Sequence, residues 1–202
     1  MNNRPVDMKP VEVVTIEAET GIDDAAATLV LAFSTDPLMR WVFDSPERYL
    51  AYGTQLIRFL LTSSCEAGGA QRTDDGSGVA CWLPPGVLGD DEPIAAIVQA
   101  GAPPAKLAEI GAIMEQLEHH RPTEAHWYLS IVGVDPLHWS QGYGATLLQQ
   151  RLRQCDEAHL PAYLWASSAQ SAALYERHGF EIQATLREGS APPIFPMLRG
   201  AR

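Results

Sequence analysis

The sequence predicts a single α/β domain built on a mixed sheet, and three observations lead there. Segments with two-residue and with helical periodicity alternate in the order β-α-α-β-β-α-α-β-α-β-α-β-β over 202 residues, without a repeat, a low-complexity tract or a linker. The apolar fraction of 46% is enough for a packed core. Finally, Val132-Gly-Val-Asp-Pro136, then Gln141-Gly-Tyr-Gly-Ala145 and an apolar run from Thr146, read as a buried strand, a short loop and a glycine-rich turn opening a helix.

Residues 11–17 are β-branched and alternating, so they read as a first strand. Thr20 and Asp23-Asp24 cap an Ala/Leu-rich helix over 25–33. Asp36-Pro37 starts a turn, and 38–43 is a short apolar segment. Residues 46–63 form a long amphipathic helix carrying Leu50, Leu56, Phe59 and Leu60, broken by Gly68-Gly69. Residues 70–73 and 79–83 form a hairpin across Asp74-Asp-Gly-Ser-Gly78, and Pro84-Pro85-Gly86 ends it. A helical insertion covers 87–122, punctuated by Pro93 and Pro103-Pro104. A strong strand follows at 127–134, a helix at 146–159, a strand at 162–166 and a helix at 169–177. Two last strands occupy 180–186 and 194–198.

The net charge of −11 argues against non-specific nucleic-acid binding. It is compatible with a cationic substrate and equally with a plain solvated acidic surface. The three cysteines (Cys65, Cys81, Cys155) are odd in number, widely spaced and without a CxxC pair, which suggests neither a disulfide framework nor a zinc site. No pair among His119, His120, His126 and His138 makes a metal motif. Residues 1–10 are polar, and no run approaches about 18 apolar residues. These features predict a reduced, cytoplasmic protein with no membrane partner.

The chemistry centres on the glycine-rich turn. A helix N-terminus holds unpaired N–H groups and a partial positive charge, which suits an anionic phosphate. Gly142 and Gly144 lack a Cβ and let a phosphate come close to the main chain. The third glycine of a dinucleotide fingerprint is absent after Gly144, no acidic residue ends a following strand, and no Gly-Lys-Ser/Thr occurs. On the strand, the two-residue period puts His126, Tyr128 and Ser130 on one face. Histidine is the only one of these residue types with a reference pKa near neutrality, so His126 reads either as a proton acceptor or as a strand-edge histidine without chemistry.

Val134-Asp-Pro136, Gly142-Tyr-Gly-Ala145 and Ala173-Leu-Tyr-Glu-Arg-His-Gly-Phe180 resemble the GNAT N-acetyltransferase superfamily. The resemblance covers most of the chain, including Ala32-Phe-Ser-Thr-Asp-Pro37, the helical insertion and Pro196-Met-Leu-Arg199. Within it, His120-Arg-Pro122, His126-Trp-Tyr-Leu129 and Pro161-Ala-Tyr-Leu164 look most like the puromycin N-acetyltransferase-like branch.

The resemblance implies a GNAT-like acyl-CoA N-acyltransferase fold: one domain, a mixed, mostly antiparallel sheet and flanking helices. It implies acetyl-CoA as co-substrate and a small-molecule primary amine as acceptor, attacking the thioester directly. The pantetheine arm would lie where the 127–134 strand splays from the next, beside main-chain groups of Val132 and Val134. The pyrophosphate would sit on the amides of Ser140, Gln141, Gly142, Tyr143, Gly144 and Ala145. Tyr175 matches the general acid that protonates the leaving thiolate, and His126 is the candidate base.

The chain also departs from the pattern. Trp139, Ser140 and Gln141 stand where the usual loop has Gln or Arg, Gly and a basic residue. Trp165 replaces the branch's Glu, and Ser171 the Asn that helps hold pantetheine. Trp139 is open to packing on the cofactor or against the core. The departures keep a second expectation alive, a non-catalytic acyl-CoA-binding or regulatory module. The acceptor side is expected from 36–39, from 41–44 with Trp41 and Phe43, and from the insertion. A homodimer is compatible with the sequence.

Overall fold

The computed structural model describes residues 11–16, 21–87 and 89–202. Among the described residues, seven strands form one sheet in the order β1-β2-β3-β4-β5-β7-β6. They are β1 Val13–Thr15, β2 Ala70–Thr73, β3 Gly78–Leu83, β4 Trp127–Val134, β5 Ala162–Ala166, β6 Glu181–Ile182 and β7 Phe195–Arg199. Every pairing is antiparallel except β4 with β5. That parallel pair needs a crossover, supplied by helix α7, Tyr143–Glu157.

Both faces of the sheet are covered. On one, α7 and α8 (Ala169–Glu176) bury Leu147, Leu148, Ala172 and Tyr175 against Ala80, Trp82, Leu129, Leu164 and Met197. On the other, α1 (Ile22–Ala32) and α4 (Thr54–Glu66) bury Leu29, Ile57 and Leu61 against Val79, Cys81 and Ile131. The insertion forms α5 (Asp91–Gly101) and α6 (Leu107–His120), joined by a 3-10 turn, Pro104–Lys106. With α2 (Pro37–Val42) these helices close the second face over β5 and β7. The three cysteines are free and buried.

Tertiary packing moves several expected boundaries. The helix expected over 46–63 is α3 (Pro46–Arg48), a π-helical turn (Tyr49–Gly53) and α4. In the wide turn Tyr49 is buried, and its hydroxyl donates to the Val30 carbonyl at 2.5 Å. Helix α7 begins three residues before the apolar run, because Gly142 turns the chain in the left-handed region (φ 91°) and Tyr143 is already buried. The strand expected over 180–186 pairs only at β6, then leaves the sheet to bury Leu186, bridged to Ile194, against Ile113 and Leu117 of α6. The first strand is shorter than expected, and Glu17 and Thr20 lie outside the described residues. Instead, Gly21 (φ 85°) occupies the cap position of α1 without a side-chain cap bond.

Candidate functional site

The site begins where two strands part. β4 and β5 pair only at Trp127 with Ala162 and Tyr128 with Tyr163. Beyond Tyr128 the far edge of β4 has no strand partner among the described residues. Its orientation follows from the register with β3. Val134 lies opposite Gly78, and the Asp135 N–H donates to the Ser77 carbonyl at 2.8 Å. In an antiparallel ladder hydrogen-bonded pairs alternate, so Gly133 and Ile131 also bond toward β3. The N–H and C=O groups of Val132 and Val134 therefore point into the gap.

A β-bulge helps set this geometry. The register shifts between Cys81 and Trp82 and leaves Ser130 without an opposite residue, its Oγ donating to the Cys81 carbonyl at 3.0 Å. A bulge reverses the alternation of faces. Leu129 accordingly packs with α7 and α8, whereas Ile131 packs with α1 and α4. This corrects the expected shared face of His126, Tyr128 and Ser130, because a strict two-residue period does not run through the bulge.

At the far end of the gap lies the anion cradle. Ser140 (φ 61°) and Gly142 (φ 91°) both adopt left-handed backbone, the pattern of a main-chain nest. The N–H groups of Ser140, Gln141, Gly142, Tyr143, Gly144 and Ala145 donate to no protein acceptor among the described residues; Thr146, bonded to the Gly142 carbonyl, is the first that does. Ser140, Gln141 and Gly142 are exposed, and the helix behind them runs 15 residues. Six free donors at the positive end of a helix dipole fit a pyrophosphate. Gly144 lies where β4, α7 and α8 meet: a Cβ there would be 3.5 Å from Leu174 Cδ2 and 3.9 Å from Val134 Cγ2.

The departures from the family pattern resolve individually. Trp139 is 48% exposed, and its Nε1–H donates to the Val134 carbonyl at 2.8 Å, on the β4 edge that faces the gap. Gln141 reaches back to the Leu137 carbonyl at 3.1 Å. The Ser171 hydroxyl is used inside the first turn of α8, donating to the Ser168 carbonyl at 2.9 Å, while its N–H takes the Ser168 Oγ cap. Trp165 sits on the face away from α8, packed with Leu38, Trp41, Ile113 and Leu117, and donates to the Tyr128 hydroxyl at 3.0 Å. It lies on the α6 side of the sheet, opposite the face that packs on α7 and α8.

Two groups flank the gap from opposite faces. Tyr175, on α8, is buried with its ring edge against Phe180, and no group among the described residues bonds its hydroxyl. Burial pushes its phenol well above the ordinary range, and the nearby charge of Asp36 adds to this. It therefore stays protonated at any working pH.

Asp36 is the group that sequence reasoning placed only in the acceptor loop. The loop carrying it bridges the two strands. At one side Gly133 of β4 lets α1 close in, since a Cβ there would meet Ala32 Cβ at 2.7 Å. At the other, Asp36 Oδ2 accepts the Ser167 hydroxyl, just past β5, at 2.5 Å. Oδ1 caps α2 through the Met39 N–H at 2.9 Å. Desolvation raises its pKa, outweighing the hydrogen bonds from Met39, Ser167 and Leu38 that lower it. Asp-Pro in the sequence signals a helix cap; nothing local signals the burial.

His126 lies elsewhere. It precedes β4 at the end where β4 and β5 are still paired, with Nδ1 2.7 Å from the Glu124 carbonyl and its ring edge-on to Tyr163. Phe43 is fully buried, while Trp41 is half-buried and donates to Ser190 Oγ. His119 and His120 bond back to carbonyls of their own helix. Among the described residues no three His, Cys, Asp or Glu side chains gather as a metal site.

A family model for the acetyltransferase (GNAT) family matches residues 90–180. The chain also aligns with a crystal structure of histone acetyltransferase HPA2 and related acetyltransferase from Corynebacterium glutamicum, at 23% identity and TM-score 0.70, over 95% of this chain and 97% of that one. The fold is the GNAT fold. Other GNAT-fold structures align as fully. A Drosophila melanogaster polyamine N-acetyltransferase gives TM-score 0.69 at 16% identity, over 95% and 100%. The PaiA N-acetyltransferase from Thermoplasma acidophilum, solved in complex with coenzyme A, gives 0.59 at 10%, over 95% and 99%. The family-model match thus covers residues 90–180, and these neighbours share the fold of the whole chain.

Proposed function

We propose that this protein is an acetyl-CoA-dependent N-acetyltransferase that modifies a primary amine of a small molecule. The observation that carries the reading is the parting of β4 from β5, with main-chain groups that no described strand pairs along one edge, amides without a described acceptor at its end and one titratable side chain on each face. The Val132 and Val134 edge and the cradle at 140–145 would hold the donor. Asp36, with its raised pKa, would take the proton from the incoming ammonium. The neutral amine then forms the new C–N bond at the thioester carbonyl, the C–S bond breaks, Tyr175 gives its proton to the leaving thiolate, and the proton released from the acylated nitrogen restores the Tyr175 hydroxyl.

Leu38, Trp41 and Trp165 line the acceptor side next to Asp36 and favour an amine with an apolar portion. The solved neighbour named a polyamine N-acetyltransferase agrees with an amine acceptor. Placement in the puromycin N-acetyltransferase-like branch rests on the motifs around His120, His126 and Pro161 alone. A non-catalytic acyl-CoA-binding module is the second reading, favoured by the Trp139 indole on the Val134 carbonyl. Release of CoA from acetyl-CoA across a panel of primary amines tests the proposal. Turnover with an amine supports it; tight acetyl-CoA binding with no turnover on any amine supports the module instead.

A further inference from the structure

The loop that carries the cradle is anchored at both ends to the same turn. At its start the Asp135 N–H donates to Ser77 O. At its end Tyr143, whose own N–H is part of the cradle, is 8% exposed and donates its hydroxyl to Asp75 Oδ2 at 2.7 Å. Asp75 is itself held. Its Oδ1 accepts the Thr73 hydroxyl at 2.7 Å and the Ser77 N–H at 2.9 Å, and Thr73 Oγ1 in turn accepts the Gly78 N–H at 2.9 Å. The turn is also tied to α1, where the Thr28 hydroxyl donates to the Gly76 carbonyl at 2.9 Å. Desolvation works to raise the Asp75 pKa, but the Ser77 N–H and the Tyr143 and Thr73 hydroxyls together hold it down at about 2. The acceptor of the Tyr143 bond is thus charged throughout the working pH range. The His138 ring packs on Tyr143 with centroids 5.3 Å apart.

We propose that Asp75 and Tyr143 are positioning residues for the pyrophosphate of the acyl donor. The phenol–carboxylate bond holds the first residue of α7 in place and so sets the aim of the cradle amides. That aim carries unusual weight here, because Trp139, Ser140 and Gln141 supply no cation and the main chain must hold the phosphates by direction alone. The proposal rests on the acyl-CoA reading of the cradle and adds a residue pair that reaches the donor only through the backbone.

The test compares two donors that share the thioester and differ in the pyrophosphate. Acetyl-CoA and S-acetylpantetheine are titrated by calorimetry, the weaker one in competition, into wild type, Tyr143→Phe and Asp75→Asn. Phenylalanine keeps the buried ring, so Tyr143→Phe retains the packing of α7. Both variants are expected to weaken acetyl-CoA about tenfold, the loss of a charge-assisted hydrogen bond, and to leave S-acetylpantetheine unchanged. Equal losses for both donors would overturn the proposal in favour of a general structural role, and no loss for either would overturn it outright. Equal wild-type affinity for the two donors would instead show that the cradle binds no pyrophosphate, and both the acyl-CoA reading and the proposal would fall.

Discussion

Replacing Gly144 with alanine separates what the fold needs at that position from what the donor needs. The added methyl would lie 3.5 Å from Leu174 Cδ2 and 3.9 Å from Val134 Cγ2, both ordinary contacts, and Gly144 is not among the positive-φ glycines. The protein itself has no steric objection. A helical Gly→Ala change stabilises by about 0.5–1 kcal/mol, mainly by reducing unfolded-chain freedom. For a domain of this size that is a rise of about 1–4 °C in Tm. The donor meets a different surface. A methyl at the meeting point of β4, α7 and α8 stands where the pantetheine–pyrophosphate junction is proposed to cross. Displacing one charge-assisted bond there costs about 1.5–3 kcal/mol, or roughly 10- to 100-fold in affinity. Thermal denaturation and calorimetric titration with acetyl-CoA on the same preparation read both effects. Expected is a variant slightly more stable than wild type that binds acetyl-CoA much less tightly. Wild-type affinity in a stable variant would refute the reasoning and move the donor away from Gly144.

Three further outcomes follow from the site. Asp36→Asn should lower kcat by about 10²–10⁴ if Asp36 is the base; unchanged kcat would remove it from the mechanism. The same variant should be more stable at neutral pH. The folded-state pKa of Asp36 is raised, so the penalty for its charge is absent below the unfolded value of 3.8 and is fully present once pH has risen through the folded value; Tm curves of the two proteins should converge below about pH 4. Tyr175→Phe should cut kcat about 100-fold while acetyl-CoA affinity and Tm stay near wild type, since the buried hydroxyl bonds no group among the described residues; a parallel fall in affinity would assign it to binding. Trp139→Phe frees the Val134 carbonyl and should tighten acetyl-CoA binding a few-fold, the scale of one neutral hydrogen bond; weaker binding would show that the indole packs on the donor.

Local signals carried much of this protein. The alternation of residues 127–134 named β4, Pro84-Pro85-Gly86 closed the hairpin, and Gly142 before an apolar periodic run announced a helix with an open N-terminus. These features act through backbone sterics and periodicity over a few residues, so they are written in the sequence and survive any fold. The glycine-rich turn at 140–145 was legible for that reason, whereas Tyr175 was singled out by the resemblance of Ala173–Phe180 to a family motif. Asp36 was not: its Asp-Pro pair reads as a cap, which it is, while its desolvation arises because α1 closes on Gly133 and Ser167 arrives from just past β5, 131 residues away. The face of Ser130 depended on a bulge opposite Cys81 and Trp82, which only pairing creates. Trp165 faces α6 because β5 turns it that way, and Tyr143 met Asp75 across 68 residues. The chain itself determined which segments form strands, helices and an anion-binding turn. Only the tertiary structure decided which carboxylate lost its water and which donors met their acceptors, because desolvation and long-range hydrogen bonds depend on neighbours that no local pattern specifies.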